Sequence, residues 1–419
     1  MSEPVGPNMP RTMRTKGQRS AQGVAPGAGE VEGWRLGGDE LVPPVAVILE
    51  SALQNNLTVM ATYCSDAGVS LAPHAKTTMS PQIIDRQLAH GAWGVTAATV
   101  YQVGVFADFG VSRIVLANQV TDTAGLKALA DIIATHQALE VILIVDSVEG
   151  AALLDQAFAD AGIDRPVSVL VEFGVPGRRT GARTLDALLA CADAVHDSKH
   201  LALAGVEGYE GVLATGLSPV DAIDAYLTEA VGALERLVSV GLIETDQPIF
   251  SAGGSAYFDR VVAASSSLIP TVRVVLRSGC YVVHDHGKYR DVSPLDERSL
   301  TGSTLFPALE VWASVVSTPE LGLVVVNAGR RDLSYDDRMP SAVKMLRRGS
   351  TDVVAIGPWH ASAMNDQHTM FRVDARELIG IGDLVGIGIS HPCTTFDKWK
   401  TIMVVDDAYR VIEVIETFF

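Results

Sequence analysis

Residues 140–173 read EVILIVDSVEGAALLDQAFADAGIDRPVSVLVEF, and they contain the repeating unit of the fold. Two near-continuous apolar runs, beginning at Glu140 and Val167, flank an amphipathic stretch over Val148–Ala161. Unbroken Val/Ile/Leu runs separated by helices are the pattern of a parallel sheet buried on both faces. The alternation continues in both directions. Apolar runs begin near Val69, Gly94, Arg113, Glu140, Val167, Leu201, Pro248 and Val272. Helix-like segments lie between them at Pro81–His90, Val100–Phe109, Thr123–His136, Thr184–Ser198, Pro219–Val240 and Ala256–Ala264. Eight such units, drawn here as residues 46–290, predict an α/β fold with a closed, TIM-type (β/α)8 barrel. An open doubly wound sheet is the rival that periodicity alone does not remove.

From about Asp291 the pattern changes. Strand-like runs dominate, at Ala308–Ser317, Leu321–Asn327, Asp352–Ile356, Met370–Val373, Leu384–Ile389, Thr401–Asp406 and Tyr409–Thr417. Turn signals such as Asn327-Ala328-Gly329 separate them. Residues 291–419 therefore form a second, β-rich domain, which the segment 31–45 is expected to join. Residues 1–30 are rich in Gly, Pro, Arg and Ser without an apolar h-region, and read as a flexible tail rather than a secretory signal.

Bulk properties narrow the function. The 419 residues suffice for two cores, and 48% are apolar, so the chain is globular. A formal charge of −17 argues against a nucleic-acid surface and against anionic membranes. The four cysteines, Cys64, Cys191, Cys280 and Cys393, lack a framework spacing, which fits free thiols in a reducing, cytoplasmic compartment. No apolar run is long enough to span a bilayer.

Active sites of such barrels lie at the C-terminal ends of the strands. Lys76, in Pro73-His74-Ala75-Lys76-Thr77, sits just past the first run, where an amine can form an imine with an aldehyde cofactor. A solvated loop lysine has the same local sequence. Ser251-Ala252-Gly253-Gly254-Ser255 and Arg277-Ser278-Gly279-Cys280-Tyr281 follow the last two strands. Loops there commonly bind phosphate, because glycines let backbone N–H groups approach an anion and serines add donors. Arg179, in the loop after the fifth strand, is a candidate to face a cofactor ring. Tyr209, after the sixth, is either a ligand contact or a packed rim aromatic. In the second domain, His391 and Cys393 point the same way along an extended segment. An imidazole and a thiolate suit zinc. His368 is a further candidate ligand.

Taken together, these motifs resemble the D-serine dehydratase / D-threonine aldolase family over roughly residues 40–419. The resemblance rests on Pro-His-Ala-Lys-Thr at 73–77, Arg179-Thr180-Gly181, the Gly-Gly-Ser and Ser-Gly-Cys-Tyr loops, and His391-Pro392-Cys393-Thr394-Thr395. It implies a fold-type III enzyme, with an alanine-racemase-like barrel binding pyridoxal 5′-phosphate (PLP) and a β-rich second domain. By that resemblance Lys76 carries the cofactor, His74 and Tyr209 lie beside it, and Arg179 contacts the pyridine ring. Gly253, Gly254, Ser255, Ser278, Gly279, Cys280 and Tyr281 cradle the phosphate. His391 and Cys393 hold a divalent metal, zinc in preference to manganese or magnesium. The family also implies a homodimer. The chain departs from the family pattern at Thr78-Met79, Gly174, Asn327 and Gln367.

The activity so implied is a PLP- and metal-dependent lyase acting on a D-3-hydroxy amino acid. In a dehydratase, Lys76 takes the Cα proton and the metal helps hydroxide leave, giving a 2-oxo acid and ammonia. In an aldolase, a base takes the hydroxyl proton and the Cα–Cβ bond breaks, giving glycine and an aldehyde. The Cys–His pair and the lack of a histidine close behind Tyr209 favour the dehydratase. Glu210 is an alternative base, expected to be solvated as a loop carboxylate. An amino-acid racemase and a non-catalytic PLP-binding protein are the remaining readings.

Overall fold

The chain runs from β1 (Val45–Leu49) through α1 (Glu50–Ala67) into eight strands: β2 (Ser70–Leu71), β3 (Val95–Ala97), β4 (Arg113–Leu116), β5 (Glu140–Val145), β6 (Val167–Phe173), β7 (Leu201–Gly208), β8 (Ile249–Ala252) and β9 (Arg273–Leu276). The computed structural model describes residues 15–19, 30–214, 219–296 and 302–419. These fall into two compact units. One is Leu57–Tyr281 with Val292–Thr304; the other is the chain through Asn56 with Val282–Asp291 and Leu305–Phe419.

In the first unit the eight strands pair in the order β2-β9-β8-β7-β6-β5-β4-β3, all parallel. The ring closes between β2 and β3 through a bridge joining His74 to Thr96. Thr96 also donates its N–H to the Pro73 carbonyl at 2.9 Å and its hydroxyl to the Ala72 carbonyl at 2.7 Å. Ala72, Val115, Ile142, Ile144, Leu170, Ala204, Ile249 and Val275 fill the interior. All of β5 from Val141 to Val145 is buried, as its unbroken apolar run requires.

Helices follow the strands because the βα loops end in capping side chains. Thr99 caps α3 (Val100–Asp108), Asp122 caps α4 (Thr123–Thr135), Ser147 caps α5 (Val148–Asp160) and Thr184 caps α6 (Leu185–His196). Each accepts a hydrogen bond from the third residue onward, supplying a partner that the helix itself lacks. The helices α2 (Pro81–Ala89), α7 (Pro219–Ser239) and α8 (Phe258–Ala264) complete the set.

The second unit is built from β10 (Leu309–Glu320), β11 (Leu323–Val326), β12 (Ser341–Leu346), β13 (Val353–Met364), β14 (Thr369–Arg372), β15 (Leu384–Gly388), β16 (Thr401–Val405) and β17 (Val411–Glu416). Strands β10, β15, β12, β13, β14 and β11 close into an antiparallel ring. The sheet extends from β10 through β1, β16 and β17. One buried carboxylate organises its core. Glu310 accepts from Trp312 Nε1 at 3.0 Å, from the Tyr409 hydroxyl at 3.0 Å and from Lys344 Nζ at 2.5 Å. Such a group is tolerated in a core only when fully hydrogen-bonded.

The (β/α)8 barrel and β-rich second domain expected from the sequence are therefore both present. Three elements differ from the expectation. Helix α1 and strand β12 gave no signal that set them apart. Val45–Leu49, at the start of the segment drawn into the barrel, pairs with β10 and β16 instead. A short apolar run reads alike in either sheet. The tail expected over residues 1–30 lies mostly outside the described residues. Within it, Lys16 Nζ meets Asp332 at 2.9 Å, and Gln18 bridges to Leu41. Among the described residues no helix is long and apolar enough to cross a membrane.

Strand β7 carries a register irregularity opposite Val169 and Leu170, and there Gly205 passes against β8. A Cβ on Gly205 would stand 1.9 Å from the Ile249 carbonyl oxygen. Backbone cannot yield as a side chain does, so Gly205→Ala should destabilise the barrel by about 3 kcal/mol. The expected result is a thermal midpoint several degrees lower; an unchanged midpoint refutes the packing argument.

Candidate active site

The seam that closes the barrel also positions the lysine. After β2 the backbone reaches His74, then turns through a single 3-10 turn, Ala75–Thr77, with Lys76 in the middle. Lys76 is half-buried, and among the described residues no hydrogen bond or ion pair reaches its Nζ. His74 Nδ1 lies 3.2 Å from the Thr96 carbonyl. A carbonyl only accepts, so Nδ1 carries the proton and Nε2 the lone pair. Burial, joined by the nearby positive charges of Lys76 and Arg277, holds His74 well below the ordinary histidine range and so neutral.

The two Gly-rich loops lie where the sequence places them, after β8 and β9. They are cross-linked: Ser278 Oγ donates to the Gly254 carbonyl at 2.9 Å, and the Cys280 N–H donates to Ser255 Oγ at 3.1 Å. Gly279 lets the second loop pass the lysine turn, since a Cβ there would stand 2.6 Å from the His74 carbonyl oxygen. The Gly253 and Gly254 N–H groups are already engaged. Glu210 accepts from them at 3.1 and 2.8 Å, one on each carboxylate oxygen. Ser255, Ser278, Gly279 and Cys280 lie outside this clamp, although the Ser278 hydroxyl and the Cys280 N–H are engaged in the cross-link between the two loops. Tyr281 is buried, and its hydroxyl accepts from Gln87 Nε2 at 3.2 Å.

Glu210 was expected to be solvated. It is instead fully buried, because the short helical turn after Tyr209 folds it inward onto the glycine amides. The Arg179 guanidinium sits over the Tyr209 ring, 4.7 Å from its centre. Burial, reinforced by Glu210, pushes the Tyr209 hydroxyl up to about 12. The Arg179 loop is itself pinned: Gly181 donates to Asp146 at 2.9 Å, and Thr180 to Glu172 at 3.0 Å.

Three buried groups at this end of the barrel escaped the sequence reading. Arg277 spans Ser251 Oγ at 2.7 Å, the Gly208 carbonyl at 2.9 Å and Glu207. Glu172 accepts from Gln119 Nε2 at 2.5 Å. Glu207 has one oxygen on Arg277, while the other, Oε2, is buried without a partner. The available signal was acidic residues inside otherwise apolar strands, at Glu172 and Glu207.

In the second unit, His391 Nδ1 lies 2.5 Å from Asp336 Oδ2. Burial pushes His391 down, but the Cys393 thiol and the Asp336 carboxylate outweigh it and hold the imidazole near 9. His391 and Cys393 lie beside each other, but not along the extended segment that the sequence suggested. Pro392 is helical in its dihedrals and Cys393 opens a short helix over Cys393–Phe396, so the turn rather than a strand periodicity brings them together. No group of three or more His, Cys, Asp or Glu side chains among the described residues is arranged to hold a metal. His368 is exposed in the turn between β13 and β14. The donor pair, one nitrogen and one sulfur, still suits a divalent zinc-like ion whose other positions are exchangeable. For PLP the fit rests on the unpaired Lys76 amine, the Arg179 cation and the hydroxyl-bearing loops.

A family model described as "Putative serine dehydratase domain" matches residues 308–405. The chain is 27% identical over 367 residues to a D-threonine aldolase of an Arthrobacter species, covering 87% of this chain and 89% of that protein. It is 29% identical over 302 residues to the D-threo-3-hydroxyaspartate dehydratase of a Delftia species, covering 70% and 73%. Among solved structures, D-threonine aldolase from Filomicrobium marinum matches with a TM-score of 0.74 at 24% identity, covering 90% and 95%. That structural likeness is one of fold.

Burial lifts the Glu207 carboxyl from 4.5 to about 7, although Arg277 pulls it down. Between those values the folded state keeps a proton that the unfolded state has released. Stability therefore falls as pH rises through that window, and the loss is constant above it. Glu207→Gln removes the titration. Measured on cofactor-free protein, the variant should gain stability relative to wild type between pH 4.5 and pH 7. A difference that does not change with pH sinks the assignment.

Proposed function

We propose that this chain, which belongs to the D-serine dehydratase / D-threonine aldolase family, is a PLP- and divalent-metal-dependent lyase that dehydrates a D-3-hydroxy amino acid to a 2-oxo acid and ammonia. The observation that carries this reading is Lys76. Its amine stands at the C-terminal end of a barrel strand without a partner among the described residues, while Arg277 is paired with Glu207, Glu210 with two backbone amides, and Arg179 lies over the Tyr209 ring.

PLP, when bound, supplies an electron sink for charge developing at the substrate Cα. Lys76 would hold it through its Nζ, Arg179 would face its ring, and Ser255, Ser278, Gly279 and Cys280 would hold its phosphate. His391 and Cys393 would hold the metal, which supplies Lewis acidity toward a β-hydroxyl. The protein's own contribution is proton handling and orientation. Lys76 Nζ would take the proton from Cα and give it to the departing hydroxyl, which leaves as water, while the enamine left behind hydrolyses to the 2-oxo acid and ammonia. His74 stays neutral and fixes the strand end through Thr96. Arg179 stays fixed against Tyr209 and holds a positive charge at the barrel mouth.

Dehydration is preferred over retro-aldol cleavage because the latter needs a base for the β-hydroxyl proton. Glu210, the carboxylate following Tyr209, has both oxygens committed to the Gly253 and Gly254 amides. A carboxylate held on both oxygens is fixed against the loop rather than directed at a substrate hydroxyl. The aldolase is the second reading, favoured by the Arthrobacter D-threonine aldolase, whose similarity extends over 87% of the chain.

The test is product analysis with D-threonine on the cofactor- and metal-loaded protein. The expected products are 2-oxobutanoate and ammonia, lost on chelation and reduced about 1,000-fold or more in Lys76→Ala. Glycine and acetaldehyde would instead establish the aldolase. Racemisation that survives chelation would discard the metal-dependent lyase.

A further inference from the structure

Two loops of the second unit are stapled side by side around His391. Trp399 Nε1 donates to the Asp332 carbonyl at 3.0 Å, and the Ser334 N–H to Thr395 Oγ1 at 3.1 Å. Between and beyond these contacts, Asp336 makes two bonds of its own. Its Oδ2 lies 2.5 Å from His391 Nδ1, and its Oδ1 accepts from Thr394 Oγ1 at 2.7 Å. Both carboxylate oxygens are thus used, which fixes the rotation of the group. The neighbouring Asp337 is not equivalent. It stands 3.7 Å from His391 Nδ1 and is paired with Lys288 at 3.0 Å.

A carboxylate on Nδ1 determines the tautomer. In the neutral ring, the form that a metal can bind, the proton sits on Nδ1 and the lone pair on Nε2. The anion also raises the basicity of the ring and holds its plane. Four consecutive residues then have distinct tasks. His391 and Cys393 would be the ligands, Pro392 stiffens the link between them, and Thr394 holds the carboxylate that holds the histidine.

We propose that Asp336 is a positioning residue for the metal, orienting His391 with Nε2 toward the ion, with Thr394 fixing Asp336 in turn. The proposal rests on the metal reading above. Because the Asp336 side chain is 45% exposed, the effect should lie toward the lower part of the 10- to 100-fold range that such partners carry.

The experiment measures zinc affinity of the full-length, PLP-loaded protein by competition with a chromophoric chelator. Wild type should bind one zinc per chain, and His391→Ala should abolish binding. Asp336→Ala should weaken it about 10-fold or more, and Asp336→Asn, which keeps an acceptor without the charge, by less. Thr394→Val should weaken it a few-fold, about the loss of one hydrogen bond. The absorbance of bound cofactor should stay unchanged in all four, and the metal-free Asp336 variants should still unfold in one cooperative transition, with a midpoint a few degrees lower for the lost pairing with His391. The loss of zinc affinity should persist well below that midpoint, which a merely structural role would not permit. Zinc affinity in Asp336→Ala within twofold of wild type overturns the proposal while leaving the metal reading intact. A wild type that binds no zinc, or His391→Ala that binds it normally, overturns the metal reading and the proposal with it.

Discussion

Eight parallel strands leave no exposed edge only if the first and the last meet. Here the meeting is brief. Strand β2 is short, and the ring closes through Ala72, Pro73 and His74 against Thr96. Because the chain leaves the sheet directly after this seam, it must turn at once, and Lys76 lies in that turn. The position of the lysine is therefore a consequence of closure. The loop after β9 passes the same turn closely enough that Gly279 has no room for a side chain. Seam, lysine and Gly-rich loop are one packing arrangement.

Around that arrangement the barrel buries Glu172, Glu207, Glu210 and Arg277. Burying charge is costly unless each group finds partners. Glu210 finds two amides, Glu172 an amide and a hydroxyl, and Arg277 three oxygen acceptors. Glu207 finds one partner for two oxygens, which is why burial outweighs its ion pair. With Glu172, Glu210 and Arg277 held by these partners, Lys76 is left with no hydrogen bond or ion pair among the described residues. The same bonds explain why Glu210, placed well in sequence to act as a base, is occupied as a brace for the loop between β8 and α8.

The second unit applies the same economy to a different end. Its core is arranged around Glu310, whose three donors come from β10, β12 and the turn before β17. Its loops are arranged around His391, through contacts that each join the 332–336 segment to the 394–399 segment. These contacts hold the His391 loop still.

Much of this was legible in the chain. The unbroken apolar runs marked β3 through β9 to within a few residues, since a strand buried on both faces admits little else. The helix starts at Val100, Thr123 and Val148 follow from the amphipathic pattern alone, which did not single out the caps Thr99, Asp122, Ser147 and Thr184. Pro73–Thr77, the two Gly-rich loops and His391–Thr395 could be named because their residue types carry chemistry at fixed local spacing. What stayed hidden was every relation between distant residues. Nothing local says that Glu210 turns inward onto Gly253 and Gly254, that Arg277 joins Glu207, or that Asp336 reaches His391. Nor does Val45–Leu49 say locally which sheet it enters. Sequence by itself determined the alternation of elements and the identity of the reactive groups, because periodicity and side-chain chemistry are local. Only the tertiary structure decided which of those groups are satisfied and which remain available, because desolvation and pairing depend on neighbours that the chain brings together by folding.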